Sequence, residues 1–321
     1  MIALLFTGGT ISMRFDPASG GAVPALSGRD ILVAAGDLGD VSVEPEDWGA
    51  YPGPHMTVER QWALRGRIAE LLGRPDVRGV VLTHGTDTLE ETAYLVARSL
   101  ASPKPVVFTG AMRAASDPGW DGPANLRDAI RVAAASEASG LGTLVTLGGR
   151  VWSALDVTKS HTHAPDAFES PELGPVAEVD DGRVLVRRRP ALGGEPLVPT
   201  TLGGPVDVVV AHAGADARLL DASRRDAAGV VVAALGRGNV PPAMVPGIER
   251  WVADGKPVVI ASRAGSGRVG HTYAYPGGGR RLAALGAMFA GWRRPQQARL
   301  ELMLALGAGL DDAALRALFA S

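Results

Sequence analysis

Three short polar loops hold most of the residues that could do chemistry. They are Thr7–Thr10, His84–Thr88 and Gly110–Arg113, and each follows a short apolar run. Paired glycines let a backbone turn tightly and bring its N–H groups close to a ligand. The hydroxyls of Thr10 and Thr86 are candidate nucleophiles, and free N–H groups at the start of a following helix favour a substrate carboxylate or a developing oxyanion. TGGT taken alone could also be no more than a glycine turn.

A hydroxyl nucleophile needs a base, and Lys159 is the candidate. Lys104, Lys159 and Lys256 are the only lysines among the 32 basic residues. A buried lysine can lose its proton, whereas an arginine effectively cannot, so Lys159 could activate a hydroxyl. Biased residue usage would explain the same scarcity of lysine. Asp87 offers a fixed negative charge for a substrate ammonium, although Asp87 or Thr88 could instead cap the following helix.

The pattern of the first half of the chain predicts a sheet that would bring these three loops together. Short β-branched runs alternate with amphipathic stretches, a pattern typical of a parallel sheet covered on both faces. Predicted strands are Ile2–Phe6, Val41–Glu44, Gly79–Thr83, Pro105–Thr109 and Gly142–Leu147; predicted helices are Thr57–Leu72, Leu89–Leu100 and Gly122–Ala135. Since ligands bind at the carboxyl ends of parallel strands, we expect the three polar loops to converge there.

The second half repeats the alternation after a segment rich in proline and glycine, 187–205. Its predicted strands are Val206–His212, Gly229–Ala234 and Pro257–Ser262; its predicted helices are Arg218–Arg225, Ala243–Asp254, Arg281–Phe289, Pro295–Leu306 and Asp311–Phe319. The fold class is therefore α/β with two domains. We predict a larger doubly wound, mainly parallel sheet in 1–186, a linker in 187–205 and a smaller α/β domain in 206–321.

Composition narrows the classes of function. The 321 residues carry a net charge of −2, which provides no broad basic field for nucleic acid, and no cysteine, which excludes disulfides and thiolate nucleophiles. The basic run Arg187–Arg189 could contact phosphate but is more typical of a solvated linker. No apolar stretch approaches the ~20 residues that span a bilayer, and the N-terminal MIALLF lacks a basic leader, so we expect no membrane contact and a cytoplasmic protein.

Two other kinds of site fit the sequence less well. His161 and His163 are spaced i, i+2 with no third ligand at a recognisable distance, so we expect no metal site. Gly236–Asn239 is a fragment of a nucleotide-binding glycine loop but lacks the third glycine, and there is no Walker sequence. A nucleotide-binding protein remains an alternative, because this fold class often binds such ligands.

Several motifs resemble, in order, those of the bacterial type I and II L-asparaginases, the asparaginase/glutaminase family. They are TGGTI at Thr7–Ile11, THGTDTLEETAY at Thr83–Tyr94, GAMR at Gly110–Arg113, DGPANL at Asp121–Leu126, DVTKS at Asp156–Ser160, GRGN at Gly236–Asn239 and RPQQARLELMLAL at Arg294–Leu306. The resemblance covers nearly the whole chain. It implies an amidohydrolase that converts L-asparagine to L-aspartate and ammonia without a metal or organic cofactor, as a homodimer or homotetramer.

The resemblance also implies roles for individual residues. The implied catalytic residues are Thr10, which attacks the amide carbon, and Thr86, Asp87 and Lys159, which form a second hydroxyl–base group. The implied substrate-binding positions are Gly9, Gly53, Pro54, Gly85, Ala111 and Asn239. Asn239 resembles a residue that family members offer to the site of a neighbouring subunit.

The sequence departs from the family pattern at three places. A tyrosine on the loop after TGGTI is replaced by Gly21, Ala22 and Val23; a carboxylate-binding serine and the adjoining glutamine align with Gly53 and Pro54; and an acidic residue is missing from His271–Tyr275. Each lost hydrogen bond to a charged group could cost about 1.5–3 kcal/mol. The substrate could therefore be a different amide, such as an N-substituted aspartyl derivative with room beside Gly53 and Ala22. A relative that binds an amino acid without turning it over is the other alternative.

Overall fold

The computed structural model describes residues 1–191 and 193–320. The chain divides into two compact units, Met1–Pro196 and Leu197–Ser321, called unit 1 and unit 2 below. Each has its own sheet. No helix within the described residues is long and apolar enough to cross a membrane.

Unit 1 is built on an eight-stranded mixed sheet. Its strands and two small hairpins are β1 (Ile2–Phe6), β2 (Met13–Asp16), β3 (Gly21–Pro24), β4 (Val43–Asp47), β5 (Gly79–Thr83), β6 (Val106–Thr109), β7 (Thr143–Leu147), β8 (Arg150–Ser153), β9 (Thr158–Lys159), β10 (Phe168–Glu169), β11 (Ala177–Asp180) and β12 (Arg183–Val186). The order is β12-β11-β8-β7-β6-β5-β1-β4. Strands β4, β1, β5, β6 and β7 are parallel, and β8, β11 and β12 extend the sheet by antiparallel pairing.

Helices cover both faces of this sheet. They are α1 (Gly28–Ala35), α2 (Val58–Gly73), α3 (Leu89–Ser99) and α4 (Gly122–Ala134). Because side chains alternate along a strand, Leu82 packs with α2 and α3, whereas its neighbour Val81 packs with α1 and α4. Thr57 caps α2 by accepting a hydrogen bond from the Arg60 N–H at 3.4 Å. The predicted doubly wound α/β fold is confirmed.

Unit 2 has a smaller sheet of four parallel strands, β13 (Val206–Val210), β14 (Gly229–Ala234), β15 (Val258–Ser262) and β16 (Met288–Phe289), in that order. Its helices are α5 (Arg218–Ser223), α6 (Val245–Ala253), α7 (Gly279–Leu285), α8 (Pro295–Gly307) and α9 (Asp312–Ala320). The fully buried Trp251 of α6 lies in the core between this helix and the sheet, and its indole N–H donates to the Leu220 carbonyl at 2.8 Å.

One predicted element is wrong. The helix expected over Arg281–Phe289 ends at Leu285, because Gly286 adopts a left-handed conformation with φ 108°. The chain then enters β16 at Met288. A glycine in the left-handed region ends a helix readily, since it has no Cβ to clash with the turned backbone.

Candidate active site

The polar loops of unit 1 meet through direct backbone contacts at the carboxyl edge of the sheet. A Cβ added to Gly9 would lie 2.6 Å from the Gly85 Cα, and one added to Gly85 would lie 2.5 Å from the Gly53 Cα. A Cβ at Gly110 would lie 2.6 Å from the His84 carbonyl oxygen. No ordinary side chain fits at such separations, so glycine is required for the loops after β1, β4, β5 and β6 to approach this closely.

Thr10 lies at the start of a single 3-10 turn, Thr10–Ser12, immediately after Gly9. Gly9 has φ 88°, which places the turn across the end of β1. The Ser12 hydroxyl donates to the Gly9 carbonyl at 2.9 Å and fixes the turn. Thr10 is partly exposed, and among residues 1–191 and 193–320 its hydroxyl has no hydrogen-bond partner. This hydroxyl is available to a ligand.

The second hydroxyl belongs to a three-residue group. The Lys159 Nζ donates to the Thr86 Oγ1 at 2.8 Å and to the Asp87 Oδ1 at 2.7 Å. The lysine side chain is only 14% exposed and the aspartate side chain 58% exposed, so the amine is enclosed while the carboxylate faces solvent. The group can therefore move a proton at Thr86 and hold a cation at Asp87.

A strand pairing and a hydrogen bond to α3 hold Lys159 in place. It lies on β9, paired antiparallel with β10, and its backbone N–H donates to the Glu90 Oε2 at 3.1 Å. The other two lysines have a different role: Lys104 donates to the carbonyls of Leu72 and Arg74 at the end of α2, and Lys256 donates to two carbonyls near the end of α5. Among the three side-chain amines, only that of Lys159 donates to a hydroxyl.

His84 lies buried beneath the Thr86 loop. Its Nδ1 is 2.9 Å from the Gly85 carbonyl oxygen, which can only accept, so Nδ1 carries the proton. Its Nε2 then accepts a hydrogen bond from the Thr92 hydroxyl of α3 at 2.9 Å. Complete burial lowers the pKa of His84 to about 4, although the hydrogen bond to the Gly85 carbonyl acts to raise it. The neutral ring ties the loop to the helix behind it.

This burial predicts a pH-dependent stability. In the unfolded chain a histidine takes up its proton near pH 6.5, but folded His84 does so only near pH 4. The neutral form is thus fully stabilising above pH 6.5, and the free energy of unfolding should fall by about 1.4 kcal/mol per pH unit as the pH drops from 6.5 towards 4. Urea unfolding at several pH values checks this: His84→Gln should flatten the slope, and replacement of the exposed His163 by Gln should not. Equal slopes in wild type and His84→Gln would contradict the assignment.

A carboxylate and an amide hold the Gly110–Arg113 loop. The Asp121 carboxylate accepts hydrogen bonds from the backbone N–H groups of Met112 at 3.0 Å and Arg113 at 2.9 Å. The Asn125 amide donates to the Gly110 carbonyl at 3.0 Å and to the Asp121 Oδ2 at 3.0 Å. Sequence analysis found the motif that contains both residues but assigned neither a role. Together they fix the backbone on either side of the buried Ala111.

The predicted carboxylate-binding segment offers little to an anion. Gly53 has no side chain, and Pro54 is exposed and lacks a backbone N–H. The alternative role of Asp87 or Thr88 as a helix cap is not what the contacts show. The Thr88 hydroxyl donates to the Gly53 carbonyl at 2.8 Å and makes no capping hydrogen bond to α3. The Asp87 carboxylate accepts from Lys159. A Cβ at Gly53 would lie 3.1 Å from the Asp87 Cβ. The expected room for a larger substrate beside Gly53 is therefore mostly filled by Asp87.

The loop after Thr10 is an ordered hairpin, β2–β3. Its Met13 carbonyl accepts from the Ala115 N–H at 2.8 Å, and its Phe15 N–H donates to the Ser116 hydroxyl at 3.0 Å. Ala22 is exposed on β3. The hairpin is thus attached to the segment that follows Gly110–Arg113.

Asn239 lies in unit 2, after β14. Its side-chain oxygen accepts a hydrogen bond from the Gly279 N–H at 3.2 Å, and its backbone pairs with Leu235. These contacts hold the Gly236–Asn239 turn. Tyr273 and Tyr275, a few residues before Gly279, are exposed, with ring centroids 5.6 Å apart.

The basic run Arg187–Arg189 and the pair His161 and His163 form ion pairs or hydrogen bonds with other residues of unit 1. Arg187 pairs with Glu178 at 2.5 Å, Arg188 with Asp156 at 3.5 Å, and Arg189 donates to the Ser139 carbonyl. The His161 Nδ1 accepts from the backbone N–H groups of His163 and Ala164. Within the described residues there is no group of three or more histidine, aspartate or glutamate side chains arranged to hold a metal ion.

Comparison with known proteins follows the same division of the chain. A family model described as "Asparaginase, N-terminal" matches residues 1–192, and one described as "Glutaminase/Asparaginase C-terminal domain" matches residues 205–319. A probable L-asparaginase of Deinococcus radiodurans is 38% identical over 99% of this chain and 96% of its own length, and an L-asparaginase of Bacillus licheniformis is 31% identical over 97% and 98%. The crystal structure of a probable cytoplasmic L-asparaginase from Campylobacter jejuni covers 100% of this chain and 99% of its own, with a TM-score of 0.88 at 30% identity.

Proposed function

The chain belongs to the asparaginase family, and from this membership we propose that it hydrolyses L-asparagine to L-aspartate and ammonia. The observation that carries the proposal is the contact of the Lys159 Nζ with both the Thr86 hydroxyl and the Asp87 carboxylate, at 2.8 and 2.7 Å. Those distances suit proton transfer and cation binding within one site.

The proposed reaction has two halves. The Thr10 oxygen attacks the amide carbon, and the resulting oxyanion is stabilised by backbone N–H groups near Thr10, Thr86 and Ala111. For this step Lys159 must be the neutral amine: the proton of the attacking Thr10 hydroxyl passes through the Thr86 hydroxyl to the Lys159 Nζ and is then delivered to the departing nitrogen, so that the C–N bond breaks with release of ammonia. Water then hydrolyses the Thr10 ester, which gives aspartate and restores the hydroxyl. The exposed Asp87 carboxylate binds the substrate ammonium throughout.

Ammonia release by the purified full-length chain tests this function. L-asparagine, L-glutamine and an N-substituted aspartyl amide form the panel, and release from asparagine is the expected result. If no member of the panel gave ammonia or a free amine, hydrolysis would be the wrong function. Saturable calorimetric binding of aspartate without turnover would instead identify an amino-acid-binding relative.

A different small amide is the second candidate, because Gly53 and Pro54 supply no side-chain donor to an α-carboxylate. A substrate that depends less on this contact would then have the higher kcat/KM in the same panel. The filled space beside Gly53 favours a compact amide over a bulky one.

We also propose a cytoplasmic homo-oligomer, a dimer or a dimer of dimers, in which Asn239 contributes to the site of a neighbouring copy. The family resemblance supports the assembly, and the absence of cysteine fits a reducing compartment. Light scattering coupled to gel filtration measures the oligomeric state. A monomer with full activity would contradict the assembly.

The Asp121 contacts predict a positioning effect on catalysis. In the wild type the Asp121 carboxylate accepts hydrogen bonds from two backbone N–H groups. In Asp121→Asn an amide NH2 would face one of these donors, so the Gly110–Arg113 loop should shift. A displacement of about 1 Å costs ~10²-fold in rate. We expect kcat/KM for the best substrate to fall by about that factor. The matched control is Asp117→Asn, which affects a single N–H, that of Ala114 at 2.9 Å, and should leave kcat/KM nearly unchanged. Similar losses in both variants would argue against a specific role for Asp121.

A further inference from the structure

Unit 2 has a cavity of its own at the carboxyl edge of its sheet, with a volume of about 580 Å³. Its walls come from the loop after β14, the long loop after β15, strand β16 and helix α9. The volume lies within the range of small-molecule sites, and the carboxyl edge of an open parallel sheet is the usual location for them.

The cavity is strongly cationic. Arg237, Arg268 and Arg316 line it together with His271, and no carboxylate of the described residues does so. Arg316 is compensated, because its Nε donates to the Asp312 carboxylate at 2.7 Å and its Nη1 to the Gly286 carbonyl at 3.1 Å. Within the described part of the chain, the guanidinium groups of Arg237 and Arg268 have no acceptor. Two uncompensated positive charges therefore face one concave space.

The neighbouring backbone determines where Arg237 lies. A Cβ at Gly270 would be 3.3 Å from the Arg237 Nη2, so the guanidinium extends over a residue without a side chain. The Gly270 N–H donates to the Arg237 carbonyl at 2.8 Å and joins the two loops. The His271 ring packs edge-on against Phe289, 5.7 Å between centroids, and gives the cavity an aromatic wall.

We propose that this cavity binds a small molecule that carries a phosphate or diphosphate group. Planar guanidinium groups bind phosphate oxygens through paired hydrogen bonds, and two uncompensated arginines match a multiply charged anion better than a single carboxylate. The Thr272 hydroxyl at the rim is a further donor. The wall formed by His271 and Phe289 suits an organic body attached to the phosphate. The proposal rests on residues of unit 2 alone and does not depend on the proposed reaction.

Isothermal titration calorimetry on the full-length protein tests the proposal with three probes: inorganic phosphate, pyrophosphate and ADP. The ionic strength is held constant, because screening by salt weakens exposed charges. We expect saturable binding of at least one probe, with an affinity about tenfold lower in each of Arg237→Gln and Arg268→Gln. Tighter binding of ADP than of pyrophosphate would identify an organic phosphate as the ligand; equal binding would identify the phosphate group alone.

Arg225→Gln is the matched control, since Arg225 is also exposed in unit 2 but lies outside the cavity. Unchanged affinity in this variant supports a specific site. Absence of saturable binding for all three probes would overturn the proposal, as would an equal loss in Arg225→Gln or undiminished binding in the Arg237→Gln/Arg268→Gln double variant. Thermal unfolding of each variant confirms that it is folded, so a loss of affinity reports on the cavity.

Discussion

Thr86→Val is expected to lower kcat by at least ~10⁴-fold, the scale seen when one member of a nucleophile–base group is removed. Valine replaces the hydroxyl that lies 2.8 Å from the Lys159 Nζ by a methyl group of similar size. The Thr86 methyl group, Cγ2, is kept in valine. It lies beside Gly110, 3.2 Å from where a Cβ of that residue would be, so the loop should keep its packing. Ammonia release under substrate saturation measures the effect.

Two further variants separate chemistry from packing at Thr86. Thr86→Ser keeps the hydroxyl and loses the methyl group, so it should retain most of the activity that valine abolishes. Thr162→Val makes the same substitution at an exposed threonine close in sequence to Lys159 and should leave kcat unchanged. Combining Thr86→Val with Thr10→Val should cost little more than either alone, because the two residues act as a unit. Wild-type turnover in Thr86→Val would remove this hydroxyl from the mechanism.

Lys159→Met is expected to lower kcat by ~10³-fold, within the range that general acid–base groups contribute. The protein should stay folded, because the lost ion pair leaves Asp87 58% exposed and able to bind water, at a cost of about 1 kcal/mol or less. Lys159→Arg should not restore activity, since a guanidinium keeps its proton. Steady-state kinetics and thermal unfolding of the same preparations measure both effects.

Lys256→Met is the control for loss of a lysine. Lys256 donates to the carbonyls of Arg224 and Ala227, so its removal should lower stability while kcat persists. Activity of Lys159→Arg close to wild type would show that positive charge alone suffices and that Lys159 is not a base.

The sequence predicts the inner parallel strands of unit 1, β1, β5, β6 and β7, well, because they are fully buried and therefore consist of continuous apolar runs. The partly exposed edge strand β4 begins two residues later than predicted. Strands β5 and β14 begin and end at their predicted residues. The antiparallel extension was not predicted: β11 and β12 are only partly buried and mix Val with Asp, Glu and Arg, so their composition resembles that of loops. Hairpin β2–β3 was missed for the same reason, since its Gly and Pro content indicates an irregular loop.

The part of the candidate site that the sequence predicts is the part that follows directly from the order of the strands. Thr86 and Asp87 follow β5 directly, so their position at the sheet edge follows from the topology. Lys159 is 73 positions from Thr86 and 72 from Asp87, so periodicity and strand order do not indicate their contact. The sequence suggests it through the rarity of lysine and through the family resemblance of the segment Asp156–Ser160. His84 lies in one of the three predicted polar loops, but its pairing with Thr92 depends on the register of α3 against the loop, which periodicity alone does not fix.

The contacts among Gly9, Gly53, Gly85 and Gly110 have a consequence for redesign of the enzyme. Since a Cβ at Gly9, Gly85 or Gly110 would lie within 2.6 Å of a neighbouring backbone atom, these three positions offer no combinatorial freedom. A library aimed at new substrates would yield mostly misfolded clones if it randomised them. Diversity belongs at the surrounding rim instead, at exposed or partly exposed positions such as Ala22, Pro54 and Met112, where a new side chain can reach a ligand without separating the loops.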